Sequence, residues 1–242
     1  MNEQPGDPAE SLLEVAEGQS LGLVVCRLAL DPTSGRIRHR TEVGIAIRAA
    51  LFNQLLLQGR LTGGRWPEPV GESTSGDRLG DSVHRAVSER RTLLWKRWFN
   101  HVAADVEAAT TELVRLELWR PRPGGGFVDA EPGLILEQAT RIQSLISHTP
   151  GGTGGGVDAA SSTAAEAIAD AAVALLATGA GPLGGRPQPK LATKKFDEVI
   201  PGIKVMAGAG FGIDHRRDAV RGATKAALQS MRSRGSIRSL SG

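Results

Sequence analysis

The chain has one cysteine, no tyrosine and few aromatic residues of any kind, 4% of its 242 positions. A single cysteine, Cys26, excludes an internal disulfide and any multi-cysteine metal site, and its place among Val24, Val25 and Leu28 suits a core position in a reduced, cytoplasmic setting. Without Tyr and with five Phe, the chain lacks the stacking platform of a single-strand nucleic-acid binder, which speaks against nucleic acid as a partner. Long apolar runs are missing too. The longest, Val43 to Leu57 and Ala164 to Ala177, are interrupted by Arg48, Asn53, Gln54, Glu166 and Asp170 and fall short of the roughly 20 residues a bilayer span needs. Residues 1–20 hold Glu3, Asp7, Glu10, Glu14 and Glu17 and neither Lys nor Arg, so the basic start of a secretory signal is not there.

Motifs of catalysis are equally scarce. The run from Gly151 to Gly156 has no Lys-Ser or Lys-Thr pair to close a phosphate loop and no apolar strand before it, so it reads as a linker. His39, His84, His101, His148 and His215 stand singly, without the helical pair that holds a metal. Neither a nucleophile elbow nor a dinucleotide fingerprint is found. A binding protein is expected, with no catalytic residue, metal or cofactor.

What is present is an ordinary globular composition, 40% apolar and 23% charged, enough to bury a core. Residues 1–20, with Pro5, Gly6 and Pro8, read as a flexible acidic leader. Leu21 to Leu30, then the turn composition Asp31 to Gly35, then Arg36-Ile37-Arg38 predict a β-hairpin or a strand entering a loop. From Thr41, the residues Val43, Ile47, Ala50, Leu51 and Leu55 recur at helical spacing as far as Gly59. A loop rich in Gly and Pro follows, then a helix over Leu79, Val83 and Val87 that Ser75 or Asp77 can cap. Leu93 to Leu116 keeps helical spacing as one helix or as two broken near Asn100. Pro121, Pro123 and Gly124 to Gly126 cannot continue a helix, and Phe127 and Val128 return as the second arm of a hairpin. Leu134 to Ile146, Ala159 to Thr178, Leu191 to Ala207 and Asp214 to Met231 complete the helices. The expected fold is mainly α: one helical-bundle domain over residues 21–231, with surrounding amphipathic helices and two short β-hairpins, followed by a basic flexible tail over 232–242.

A net charge of +3 conceals an asymmetry, because Arg216, Arg217, Arg221, Lys225, Arg232, Arg234 and Arg238 face only Asp214 and Asp218 at the end of the chain. That end either contacts phosphate, acidic lipid or an acidic partner, or is a solvated helix face. A second basic cluster, Arg90, Arg91, Lys96 and Arg97, is interleaved with Trp95, Trp98 and Phe99, a mixture found on membrane-facing elements. Helical spacing assigns Trp98 and Phe99 to the core and leaves the charges for binding.

Several segments in order resemble the Golgi phosphoprotein 3 family. They are Leu28-Ala29-Leu30-Asp31 with Gly35-Arg36, Arg48 to Leu61 ending in Gln58-Gly59-Arg60-Leu61, Ser73-Thr74-Ser75-Gly76-Asp77 with Leu79, then Trp98, Leu113-Val114, Leu118-Trp119, and Ala171 to Leu183. The resemblance implies a mainly helical domain without catalysis that grips a phosphoinositide headgroup in a basic pocket and inserts an apolar hairpin into the bilayer. It places Arg48 at a pocket arginine and His39 at a pocket tryptophan, whereas two further pocket arginines fall at Ala103 and Val106. The hairpin tip, Arg120 to Gly126, is basic and rich in Gly and Pro, which suits surface attachment more than deep insertion. The resulting expectation is a peripheral adaptor attached reversibly to the inner face of the membrane. It would bind anionic or phosphoinositide-type headgroups through Arg48, His39, Arg40, Arg90 and Arg91, with Arg120, Arg122, Arg216 and Arg217 touching membrane or partner. A protein partner and a homo-oligomer are compatible with it, and the rival is a soluble scaffold for a protein partner. Arg48 carries the choice: it interrupts an apolar helix, so it must reach an anionic ligand or solvent outside or a carboxylate inside.

Overall fold

In the computed structural model, which describes residues 20–72, 74, 76–90, 92–100, 102–147, 164–181, 187–202 and 212–238, Leu21–Leu28 is a helix, α1, and not the strand its Val-rich composition suggested. A short apolar run serves a buried helix as well as a strand, and here Ser20 decides: it takes the extended N-cap conformation and its Oγ accepts from the Leu23 amide. Only Leu30–Asp31 (β1) and Arg36–Ile37 (β2) form the first hairpin, in antiparallel register with Leu30 opposite Ile37.

Helix α2 (Arg40–Leu57) has buried residues on nearly every side, the mark of a central helix rather than an amphipathic surface one. It ends at Gly59, whose positive φ lets the Gly59 and Arg60 amides satisfy the carbonyls of Leu56 and Leu55. The Gly/Pro segment beyond it, expected as loop from its composition, closes into a further hairpin, Leu61–Gly63 (β3) with Pro67–Pro69 (β4). Asp77 caps α3 (Arg78–Glu89), accepting from the Leu79 amide at 3.1 Å. The long helical pattern after Leu93 is two helices, α4 (Trp95–Trp98) and α5 (Ala103–Arg115). Phe52 of α2 meets Trp95, Trp98 and Phe99 edge-on at 5.2, 5.6 and 6.1 Å, so the aromatics of the basic cluster are indeed core.

The hairpin Trp119–Pro121 (β5) and Phe127–Asp129 (β6) leads to α6 (Pro132–Ser147), and α7 (Ala164–Ala180), α8 (Pro189–Gly202) and α9 (Gly212–Arg238) finish the bundle. α2 packs against α1, α5, α7 and α9, and its Asn53 donates to Thr224 of α9 at 2.8 Å inside the core. α9 continues to Arg238, into the stretch expected to be a flexible tail. The leader up to residue 19 and the Gly151 to Gly156 linker lie outside the described residues.

Candidate anionic-surface site

Arg48 is engaged inside the protein. Its Nη2 lies 2.8 Å from Asp105 Oδ1, its Nη1 donates to the Trp98 carbonyl at 2.9 Å, and the two side chains are 20% and 14% exposed. Burial pushes the Asp105 carboxyl above its ordinary pKa and the arginine only partly restores it. The positions where the family resemblance expected arginines are filled otherwise: Ala103 is exposed, and Val106 is core. Arg40, eight residues before Arg48, reaches Glu107 of the same α5 at 3.5 Å and stays largely exposed.

His39 is half-buried at the start of α2 with a left-handed backbone, φ 51°, and makes no capping bond from its side chain. With Leu28, Asp31, Arg38, Val43 and Ala180 it lines a cavity of about 180 Å³. None of the partners of Arg48 borders that cavity. Among the described residues, this cavity joins His39 to neither Arg48 nor the partners of Arg48. Nine residues along a helix correspond to about 13 Å of rise and half a turn, which sends the two side chains apart.

The basic residues that do come together are on the first and third hairpins. The third is anchored at its base by Arg27, wholly buried, whose guanidinium takes both oxygens of Asp129 at 2.7 and 2.8 Å. The Trp119 indole donates to the same carboxylate at 3.0 Å, and the Trp119 ring stacks on Phe127. Burial opposes the Asp129 charge, but the Arg27 fork, the Glu131 amide and the indole outweigh it and hold its carboxyl below the ordinary range.

At the tip the two hairpins are clasped. The Phe127 amide donates to the Gly35 carbonyl at 2.7 Å, and Arg122 donates to the carbonyls of Thr33 and Pro32, each at 3.0 Å. A Cβ on Gly126 would sit 2.6 Å from the Gly35 oxygen and one on Gly35 2.5 Å from the Phe127 oxygen, so this backbone contact admits only glycine at both places. The clasp and the adjoining start of α2 carry Arg36, Arg38, Arg40, Arg120 and Arg122 against two surface carboxylates, Asp31, which pairs with Arg38 at 2.6 Å, and Glu107, which Arg40 reaches at 3.5 Å. Asp31 is held below its ordinary pKa first by the Thr33 amide and then by that of Ser34, so it remains an anion at neutral pH. Arg36 and Arg120 are exposed.

Sequence reasoning missed Arg36 and Arg38, although the alternation Arg36-Ile37-Arg38 is the period-2 signal that puts both on one strand face. It also missed Arg27, an arginine inside an apolar run and so a pointer to a buried carboxylate partner. Of the remaining expected contacts, Arg216 caps the carboxyl end of α2 by donating to the Leu57 carbonyl at 2.9 Å, and Arg217 lies 3.9 Å from Asp218. Arg90 is exposed at the end of α3, and Arg91 is outside the described residues.

A mainly helical bundle with small two-stranded hairpins defines the class of helical domain to which the chain belongs. The sequence model of the family Golgi phosphoprotein 3 (GPP34) matches residues 25–182, more than half of the chain, and the protein belongs to that family. No individual characterised protein matches it. Among the described residues no helix is long and apolar enough to cross a membrane, and no group of three or more His, Cys, Asp or Glu could hold a metal.

Proposed function

We propose that the protein is a non-enzymatic adaptor that attaches reversibly to anionic membrane surfaces through the clasped first and third hairpins. The observation that carries this reading is the concentration of Arg36, Arg38, Arg120 and Arg122 on the clasped hairpins, and of Arg40 at the adjoining start of α2, beside only two surface carboxylates, Asp31 and Glu107. Membership of the Golgi phosphoprotein 3 family supports the adaptor role. Arg48 has a structural task in this reading, since its guanidinium already serves Asp105 and a backbone carbonyl.

Each basic side chain near an anionic leaflet contributes about 1 kcal/mol, and the contribution decays over a Debye length of about 8 Å at physiological salt. Five arginines offset by Asp31 and Glu107 thus give about 3 kcal/mol, a millimolar attachment sensitive to salt and to the number of anionic lipids. Phosphoinositide headgroups are bound in this reading by their charge more than by the position of their phosphate, because the guanidinium forks that would read that position are absent at Ala103 and Val106.

The test is co-sedimentation with vesicles of phosphatidylcholine alone, with added phosphatidylserine, or with added phosphatidylinositol 4-phosphate at matched surface charge. Pelleting should follow charge, fall with salt, be lost in Arg36→Glu/Arg120→Glu, and persist in Arg48→Ala. Failure to pellet with any anionic vesicle at low salt would reject the proposal in favour of a scaffold for a protein partner.

A further inference from the structure

A cavity of about 290 Å³ opens where α9 packs against the β3–β4 hairpin and α4. His215, Asp218 and Gly222 form its α9 wall, and Gly64 and Trp95 come from the hairpin and from α4. None of these residues belongs to the hairpin clasp, and the α9 wall lies beyond the family-matched residues 25–182.

The glycines that border the cavity differ in cause. A Cβ on Gly63 would lie 2.4 Å from that of Ala219, so this glycine lets the hairpin touch α9. Gly64 and Gly222 have no such reason: a Cβ at either meets nothing within 4 Å, and neither has a positive φ. Glycine inside a helix costs stability through lost backbone entropy, and Gly222 is in the interior of α9. What the two absent side chains leave is open space in the cavity wall.

Two polar side chains here are unspent. The Asp218 side chain is 70% exposed and its ion pair, with Arg217, is 3.9 Å long; His215 is exposed and makes no hydrogen bond among the described residues. By contrast the Trp95 indole is fixed, its N–H donating to the Gly64 carbonyl at 3.0 Å. Charges of both signs narrow the ligand: Asp218 in the wall repels an anion, and Arg216 and Arg217 on the same turn of α9 repel a cation. An ionised carboxylate only accepts hydrogen bonds, and its two oxygens match two neighbouring hydroxyls. The volume lies at the lower edge of the roughly 300 to 1,000 Å³ of ligand sites, so the ligand is small.

We propose that this cavity binds a neutral polyhydroxylated ring of monosaccharide size. Two adjacent hydroxyls donate to the Asp218 carboxylate, His215 bonds a third, and the C–H face of the ring rests on the indole of Trp95. With few contacts and an open mouth the affinity is millimolar, and the site works independently of what the hairpin clasp binds.

The test is a titration of the full chain, followed by amide NMR, with the methyl glycosides of glucose, galactose and mannose. Tetramethylammonium, inorganic phosphate and tetrahydropyran, a ring without hydroxyls, are the comparisons. At least one glycoside should give saturable shifts of the Gly64 and Gly222 amides and the Trp95 indole N–H below about 50 mM, a range that resolves a millimolar constant. Asp218→Ala should weaken that binding about tenfold or more, as the loss of hydrogen bonds to a charged group requires. Gly222→Leu, whose Cβ meets nothing within 4 Å, should fill the open wall, abolish binding and leave the melting temperature unchanged or higher. No saturable response to any glycoside, an equal or stronger response to one of the comparison compounds, or binding that survives either substitution would overturn the proposal.

Discussion

Arg48→Ala removes the partner from a carboxylate that is already disfavoured by its surroundings. Asp105 Oδ2 is buried without a hydrogen-bond partner, and Oδ1 is held by Arg48. A surface ion pair is worth about 0 to 1 kcal/mol, and stranding one member of a fully buried pair costs about 3 to 5. With side chains 20% and 14% exposed the pair lies nearer the buried limit, so the expected loss is about 2 to 3 kcal/mol. For a domain of this size that lowers the melting temperature by about 5 to 10 °C.

The sign with pH is fixed by the direction of the Asp105 shift. Its folded pKa is raised, so the folded state takes up a proton before the unfolded one, and stability is lost as pH rises through the folded value. In Arg48→Ala the shift grows, and acidification from neutral pH towards the ordinary Asp range should recover part of the loss. Removing the carboxylate as well, in Arg48→Ala/Asp105→Ala, should recover more than half at neutral pH. Calorimetry of the four proteins in a double-mutant cycle between pH 5 and 8 measures all of this. If Arg48→Ala melts within about 1 °C of the native protein and the double variant is no more stable than the single one, the pair carries no structural weight and the reasoning fails.

Three further outcomes follow from particular contacts. Gly44→Ala would put a Cβ 2.3 Å from the Val102 carbonyl oxygen, a backbone atom that cannot swing aside; despite the better helix propensity of Ala, chemical denaturation should show a loss of about 1 to 3 kcal/mol. Asp129→Asn takes from the buried Arg27 the carboxylate that holds its fork and leaves it Glu131 at 3.5 Å, which should cost about 3 kcal/mol, the low end for breaking a buried pair; because the folded pKa of Asp129 is depressed, the native stabilisation is whole above the ordinary Asp value and drains away only as pH falls below about 4, which an acid titration of stability can follow. Glu117 closes α5 in the left-handed region, φ 59°, in the same bonding pattern that Gly59 supplies for α2, so Glu117→Gly should raise stability by about 0.5 to 1 kcal/mol in the same denaturation assay.

Several elements were legible because their cause is local. The period-3.6 apolar pattern from Val43 to Leu55, its glycine stop and the Asp77 cap each depend on residues within a few positions of one another, and all three are as expected. The hairpin at Trp119 to Asp129 was readable from Pro and Gly that no helix tolerates. By contrast, Leu21–Leu28 turned from expected strand to helix because an eight-residue run buried on all sides has no period to read, and only its burial under α2 and the Ser20 cap chose.

The site divides in the same way. From the sequence alone came the family, the helical class, the charge asymmetry between the two ends and the demand that Arg48 find an anion. Which anion was a tertiary decision. Asp105 is 57 residues away in sequence and meets Arg48 only because Gly44 lets α5 approach α2 to backbone contact. The hairpins that carry Arg36 and Arg120, 84 positions apart, meet for a similar reason, since the glycines at 35 and 126 let the two tips touch. Local periodicity reports what each segment can bury, whereas pairing between distant charges depends on loop closures and close approaches that no single window of sequence contains.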